Sequence, residues 1–186
     1  MAIISFGEMQ PGTKFKVLDE RAMRASAGIM LALAMIAFSN GFLLQKFHII
    51  PYITGFLMLN FMIGLFINPK YSPTVFIGTL IVRKQSSLPI GAIQKKFAWS
   101  LGFVLSSIIF GLSLLLQNDI FYFDVVCLLC IVCIALLFLE TAFGICLGCQ
   151  LYFIALRLKL LPKPKEDEEP NCMGDSCEIK HKSSDE

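Results

Sequence analysis

The seven cysteines are the residues best suited to chemistry, and all of them lie in the C-terminal third of the 186-residue chain. Cys146 and Cys149 form a C-x-x-C motif, with Gly148 inside it and Gly144 just before it. On a helix this spacing places two sulfur atoms on one face, within reach of a disulfide or of one soft metal ion. Thiol chemistry is one interpretation of the motif. The other is that Gly144 and Gly148 form a G-x-x-x-G pair that lets another helix approach closely.

The other five cysteines form two further groups. Cys127, Cys130 and Cys133 recur at every third position of an apolar stretch. Buried cysteine commonly acts as a small hydrophobe, although a path for a soft cation such as Cu(I), Zn(II) or Hg(II) would use the same spacing. The C-terminal tail carries a candidate metal site with the pattern C-x4-C-x3-H, which consists of Cys172, Cys177 and His181. Structural zinc sites usually have four ligands, and the tail could supply ligands to a site that Cys146 and Cys149 complete. The cofactor prediction is therefore either none or a soft metal such as zinc or copper.

Glu140 is the one ionisable residue inside an otherwise apolar span, and such residues are functional candidates by default. It lies seven residues after Cys133 and six before Cys146. The carboxylate could accept a proton from a neighbouring thiol, or it could pair with an Arg or Lys of the central loop. Cys146, Cys149 and Glu140 are thus the candidate catalytic residues.

The composition decides which elements must position these residues. Apolar residues make up 56% of the chain and charged residues 16%, against about 25% charged residues in ordinary soluble domains. This composition excludes a typical soluble globule, and nothing in it indicates binding of nucleic acid. We predict an all-α polytopic membrane protein with four transmembrane helices arranged as two hairpins, plus short interfacial helices. The predicted parts are an N-terminal arm over residues 1–24, spans at about 25–44, 49–67, 97–116 and 125–149 within a membrane domain of 25–161, and a disordered tail over 162–186.

The fourth span is longer than a bilayer requires. Residues 125–149 would extend about 37 Å as one helix, whereas the hydrocarbon core is about 30 Å thick. We therefore expect this helix to tilt, break or emerge from the membrane.

The distribution of positive charge predicts the orientation of the chain. Fifteen Lys and Arg residues lie in the N-terminal arm, the central loop and the tail, whereas Lys46 stands alone on the other side. Positive residues are retained in the cytoplasm, so both termini and the C-x-x-C motif are expected there. Thiols are kept reduced in that compartment, which favours a cycling thiol pair or a metal site over a structural disulfide. The same orientation argues against a quinone-coupled enzyme that generates disulfides, because the cysteine pairs of such enzymes face the oxidising side of the membrane.

Two stretches resemble a known family. Residues 140–152 contain the pattern F-G-x-C-x-G-C, and residues 68–73 read Asn-Pro-Lys-Tyr-Ser-Pro. Together they resemble a family of small bacterial membrane proteins catalogued as a domain of unknown function, over about residues 10–160. The resemblance implies a four-helix membrane unit with a paired-cysteine signature, sometimes associated with thioredoxin-like and sulfur-transfer proteins.

The resulting functional prediction is a bacterial inner-membrane protein that handles thiols or sulfur through a C-x-x-C on its cytoplasmic side. Its expected partners are the lipid bilayer and a cytoplasmic thioredoxin-like or sulfur-transfer protein. Two alternatives stay open: binding or transport of a soft metal along the cysteine-rich fourth helix, and a scaffold without catalytic activity.

Overall fold

The computed structural model describes residues 6–9 and 16–158, and this part of the chain is predominantly helical. It contains six α-helices and one small sheet. The helices are α1 (Glu20–Phe42), α2 (Ile49–Phe66), α3 (Pro73–Val82), α4 (Ala92–Leu116), α5 (Phe123–Phe138) and α6 (Leu147–Arg157). The strands are β1 (Glu8–Met9), β2 (Lys16–Asp19) and β3 (Pro89–Gly91). Short 3₁₀ turns at Pro69–Tyr71 and Ile120–Tyr122 precede α3 and α5.

Four helical segments are long and apolar enough to cross a membrane: α1, α2, α4 and the segment Ile120–Phe143, which contains α5. The first two form one hairpin and the last two the other. The hairpins are joined by packing of α1 on α5 and of α2 on α4. The predicted fold class, an all-α polytopic membrane protein with short additional helices, is confirmed.

The small sheet joins the segment that precedes α1 to the segment that precedes α4. Strand β2 pairs antiparallel with β1 and with β3, and Leu18 lies opposite Ile90 in the second pairing. Asp19 then caps α1, because its carboxylate accepts a hydrogen bond from the backbone N–H of Arg21 at 3.1 Å. The region predicted as an arm before the first span therefore contains two strands and the first turn of α1.

A buried polar cluster holds α3 against the bundle. The side-chain oxygen of Asn60 in α2 accepts hydrogen bonds from the Ser72 hydroxyl at 2.6 Å and from the Thr74 hydroxyl at 2.9 Å. Thr74 is also 2.7 Å from the hydroxyl of Ser26 in α1. Where α3 crosses α1, a Cβ atom on Gly78 would lie 2.7 Å from the carbonyl oxygen of Ala22, so only glycine permits this approach. The outer face of α3 exposes apolar residues, as a helix at a lipid interface does.

Candidate functional site

The fourth span ends in a break rather than in a continuous helix. Helix α5 stops at Phe138, a π-helical turn occupies Leu139–Phe143, and Gly144 follows in the left-handed conformation with φ of 69°. The Gly144 N–H donates to the Leu139 carbonyl, which completes a glycine C-cap. The residues of the predicted span 125–149 thus belong to two helices separated by this turn, one of the outcomes expected from the excess length.

The break places the two cysteines of the motif at the start of α6. Cys146 is the N-cap residue, and Cys149 lies in the first turn. They form a disulfide, with Cα atoms 5.2 Å apart. Cys146 is half-buried whereas Cys149 is buried, and the Cys149 N–H donates to the Cys146 sulfur at 3.3 Å. The more accessible residue of the pair therefore lies at a helix N-terminus, and its partner is buried in the first turn of that helix.

Helix α6 is fixed in place by close packing on α4. A Cβ atom on Gly148 would lie 2.6 Å from the Cβ atom of Ala98. Gly148 thus has the packing role that the G-x-x-x-G interpretation predicts, whereas Gly144 serves to end the π turn. The packing and thiol interpretations of this stretch are compatible, since the contact at Gly148 positions Cys149 beside it.

Glu140 lies in the π turn, and its carboxylate pairs with the ammonium group of Lys95 in the first turns of α4. The Lys95 side chain is 4% exposed and that of Glu140 is 20% exposed. The sequence left two alternatives for Glu140, and this pairing is the second of them: an ion pair with a basic residue of the central loop. The carboxylate thus holds the Lys95 ammonium group inside the bundle.

A second cation lies on the other side of the turn. The guanidinium group of Arg24 in α1 occupies the space where a Gly144 side chain would stand, and its Nε is 3.5 Å from a Glu20 carboxylate oxygen. Arg24 and Lys95 were not among the predicted site residues. One signal in the sequence pointed to Lys95: the carboxylate of Glu140 lies inside an apolar span and therefore requires a cation nearby.

The site borders a cavity of about 290 Å³ between α4, α5 and the start of α6. Cys133, Glu140 and Cys146 all line it, together with Trp99. Of the three cysteines in α5, Cys133 is the one that reaches this cavity. Two of the three predicted catalytic residues, Cys146 and Glu140, thus share one cavity, and the third is bonded to Cys146.

The predicted metal sites receive no support from the described part of the chain. Cys127, Cys130 and Cys133 are free thiols in α5. Within residues 6–9 and 16–158, no three His, Cys, Asp or Glu side chains come together as ligands for a metal ion. Cys172, Cys177 and His181 lie outside the described residues.

The profile of a protein family described as "Domain of unknown function (DUF4395)" matches residues 18–157. The chain belongs to this family. The resemblance to a domain of unknown function is thereby confirmed. The region matched to DUF4395 runs from β2 to the last residue of α6, so it contains the whole site, whereas the cysteines of the tail fall outside it. In the two other comparisons, no curated protein and no solved structure matches the chain.

Proposed function

We propose that this DUF4395 protein is an integral membrane protein that exchanges thiols and disulfides through Cys146 and Cys149. The observation that carries the proposal is the asymmetry of the pair. Cys146 is the accessible residue at the N-cap of α6, and Cys149 is buried one turn further on. A pair of this kind has one sulfur that an incoming thiol can reach and one that resolves the mixed disulfide.

The surroundings of Cys146 favour its thiolate form, which is the reactive form of cysteine. The N-terminus of α6 presents a positive partial charge to the sulfur, and the Cys149 N–H, which donates to the Cys146 carbonyl at 2.9 Å, also lies 3.3 Å from the sulfur. Arg24, which is paired with Glu20, packs on Gly144, two residues before Cys146.

The exchange step can be written from the oxidised pair. A thiolate of a partner dithiol attacks the Cys146 sulfur, a mixed disulfide forms, and Cys149 leaves as a thiolate that takes up a proton. The second partner thiol then attacks the mixed disulfide and releases Cys146. The partner loses two electrons and two protons, and the Cys146–Cys149 pair gains them. Glu140, which lines the same cavity as Cys146, is the proposed proton acceptor and donor for these thiols.

The proposed location is the cytoplasmic membrane of a bacterium, with both termini and the cysteine pair on the cytoplasmic side. The fifteen-to-one distribution of basic residues supports this orientation. The family resemblance and the reducing environment of that side suggest a thioredoxin-like or sulfur-transfer protein as the partner dithiol.

The test compares the two cysteines in full-length protein whose other five cysteines are replaced by serine. Glutathione disulfide is the probe, and mass spectrometry measures the rate at which glutathione is attached. We expect Cys149→Ser, which retains Cys146, to react at least about tenfold faster than Cys146→Ser, which retains the buried Cys149. Equal rates, or no reaction of either variant, would contradict the proposal and favour a scaffold in which both cysteines only pack.

A further inference from the structure

The cavity beside Cys146 has an apolar interior and a buried floor. Met30, Phe61, Trp99 and Leu137 form this floor, and each is at most 8% exposed. The ring of Trp99 packs edge-on against that of Phe61, with centroids 5.4 Å apart. Such a surface favours a flat, apolar ligand over a hydrated one.

Three exposed leucines in the wall of the cavity place its opening on the apolar surface of the bundle. Leu101 of α4, Leu136 of α5 and Leu151 of α6 line it and are themselves 40%, 38% and 49% exposed on the outer surface of the bundle. A ligand can therefore enter from the hydrocarbon phase without passing through water. This route does not depend on which side of the membrane the cysteine pair faces.

The volume limits the size of the ligand. An engineered apolar cavity of about 150 Å³ admits benzene, so a cavity of about 290 Å³ accommodates a substituted six-membered ring. A long isoprenoid tail does not fit inside and would extend through the lateral opening into the bilayer.

Polar and redox-active groups meet at one end of this cavity. Cys146, bonded to Cys149, and Glu140, paired with Lys95, lie at its wall. A saturated acyl chain would leave these groups without any chemical counterpart. A ring with two carbonyl oxygen atoms would offer hydrogen-bond acceptors and would accept electrons from the sulfur atoms.

We propose that the cavity binds the ring of a membrane quinone and that this quinone oxidises the reduced Cys146–Cys149 pair. The inference rests on the proposed function and names its electron acceptor. The orientation of the chain argued against a quinone-coupled pair that faces the oxidising side, whereas here the ring reaches the cysteines from the hydrocarbon phase. The two cysteine thiols lose two electrons and two protons and form the S–S bond, while the quinone gains both and leaves as the quinol. Glu140, which lines the cavity together with Cys146, is the proposed carrier of these protons to the ring oxygens. The pair then accepts electrons again from the partner dithiol, so electrons flow from soluble thiols to the quinone pool.

The first test measures binding without any redox step. Trp99 is the only tryptophan of the chain and lines the cavity, so a bound quinone should quench its fluorescence. Decylubiquinone is titrated into detergent-solubilised Cys146→Ser/Cys149→Ser protein, and we expect saturable quenching. Adding Leu101→Phe and Leu136→Phe narrows the lateral opening and should raise the half-saturating concentration at least about tenfold, a loss of about 1.4 kcal/mol.

A matched pair of substitutions provides the control. Leu114 in α4 and Leu128 in α5 are also exposed leucines, 46% and 62%, but do not line the cavity. Leu114→Phe/Leu128→Phe should leave the half-saturating concentration unchanged. Quenching that does not saturate, or that responds equally to both pairs, would overturn the proposal. So would equal competition by a saturated ten-carbon alcohol, which would identify an acyl-chain site.

The second test measures electron transfer with the cysteine pair intact. Protein that lacks the other five cysteines is reduced, freed of reductant and mixed with decylubiquinone, and quinol formation is followed by ultraviolet absorbance. We expect one quinol per cysteine pair and a rate at least about tenfold lower in Leu101→Phe/Leu136→Phe. If the pair exchanges with glutathione but forms no quinol, the quinone proposal fails and the proposed function stands. If the pair does neither, both fail.

Discussion

At the residue scale, the buried ion pair between Lys95 and Glu140 ties the π turn to α4. Each member needs the other, because a buried charge without a counter-ion is costly, whereas a matched apolar pair of similar volume is often tolerated. The requirement for a counter-ion near Glu140 follows from the sequence. Its identity does not, since five basic residues lie in the central loop and only the packing of α4 against the turn selects Lys95.

Removal of the Glu140 charge alone should destabilise the bundle. We expect Glu140→Gln to lower the free energy of unfolding by about 3 kcal/mol, because Lys95 is left buried and unpaired. Lys95→Met/Glu140→Leu should recover most of this loss, and Lys96→Met, at the exposed neighbouring position, should change little. The free energy of unfolding of all three purified variants is measured in mixed micelles that contain increasing amounts of a denaturing detergent. A double variant as unstable as Glu140→Gln would show that the pair is not the cause.

At the element scale, the break at Gly144 creates the site, since it ends one helix and begins another at Cys146. Its existence follows from the excess length of the fourth apolar stretch. Its position depends on the left-handed residue and on the guanidinium of Arg24, which comes from a helix more than a hundred residues earlier. The three-stranded sheet could not be predicted either, because its strands are two to four residues long and β3 pairs with a strand far away in the sequence.

Substitution of the glycine at the break should disturb both the fold and the chemistry. Gly144→Ala introduces a side chain at φ of 69° and displaces Arg24, so we expect a stability loss of at least about 1 kcal/mol and slower reaction of Cys146 with glutathione disulfide. Gly111→Ala in α4 is the matched control, because a Cβ atom there meets nothing within 4 Å and alanine favours the helix. Equal effects of the two substitutions on stability and on the reaction rate would contradict this account of the break.

The polar cluster that anchors α3 gives a prediction of the same kind. Asn60→Leu removes the acceptor of the Ser72 and Thr74 hydroxyls and of the Thr74 N–H, so we expect a loss of about 2–4 kcal/mol. Asn40→Leu is the control, since the Asn40 amide only donates to the Ile36 carbonyl of its own helix. The same micelle unfolding assay reports both variants. A loss for Asn60→Leu no larger than for Asn40→Leu would contradict the anchoring role.

At the scale of the whole molecule, hydropathy predicts the four-helix membrane fold because each span must satisfy its own backbone hydrogen bonds. The pairing of the hairpins, the cavity and the side-by-side placement of Cys146, Glu140 and Lys95 arise from packing between helices distant in sequence. The apolar pattern of each span alone does not specify them. The orientation in the membrane, with both termini cytoplasmic, stays a prediction from the charge distribution.

The most direct measurement reports both the side of the membrane on which the cysteine pair lies and the redox state of the pair. Full-length protein that retains only Cys146 and Cys149 is placed in right-side-out and inverted membrane vesicles and labelled with a membrane-impermeant thiol reagent, before and after mild reduction. The account predicts labelling in inverted vesicles alone, increased by reduction, because the pair faces the cytoplasm and forms a reducible disulfide. Labelling from the outside alone would contradict the orientation, and no labelling on either side after reduction would contradict a pair that exchanges with soluble thiols.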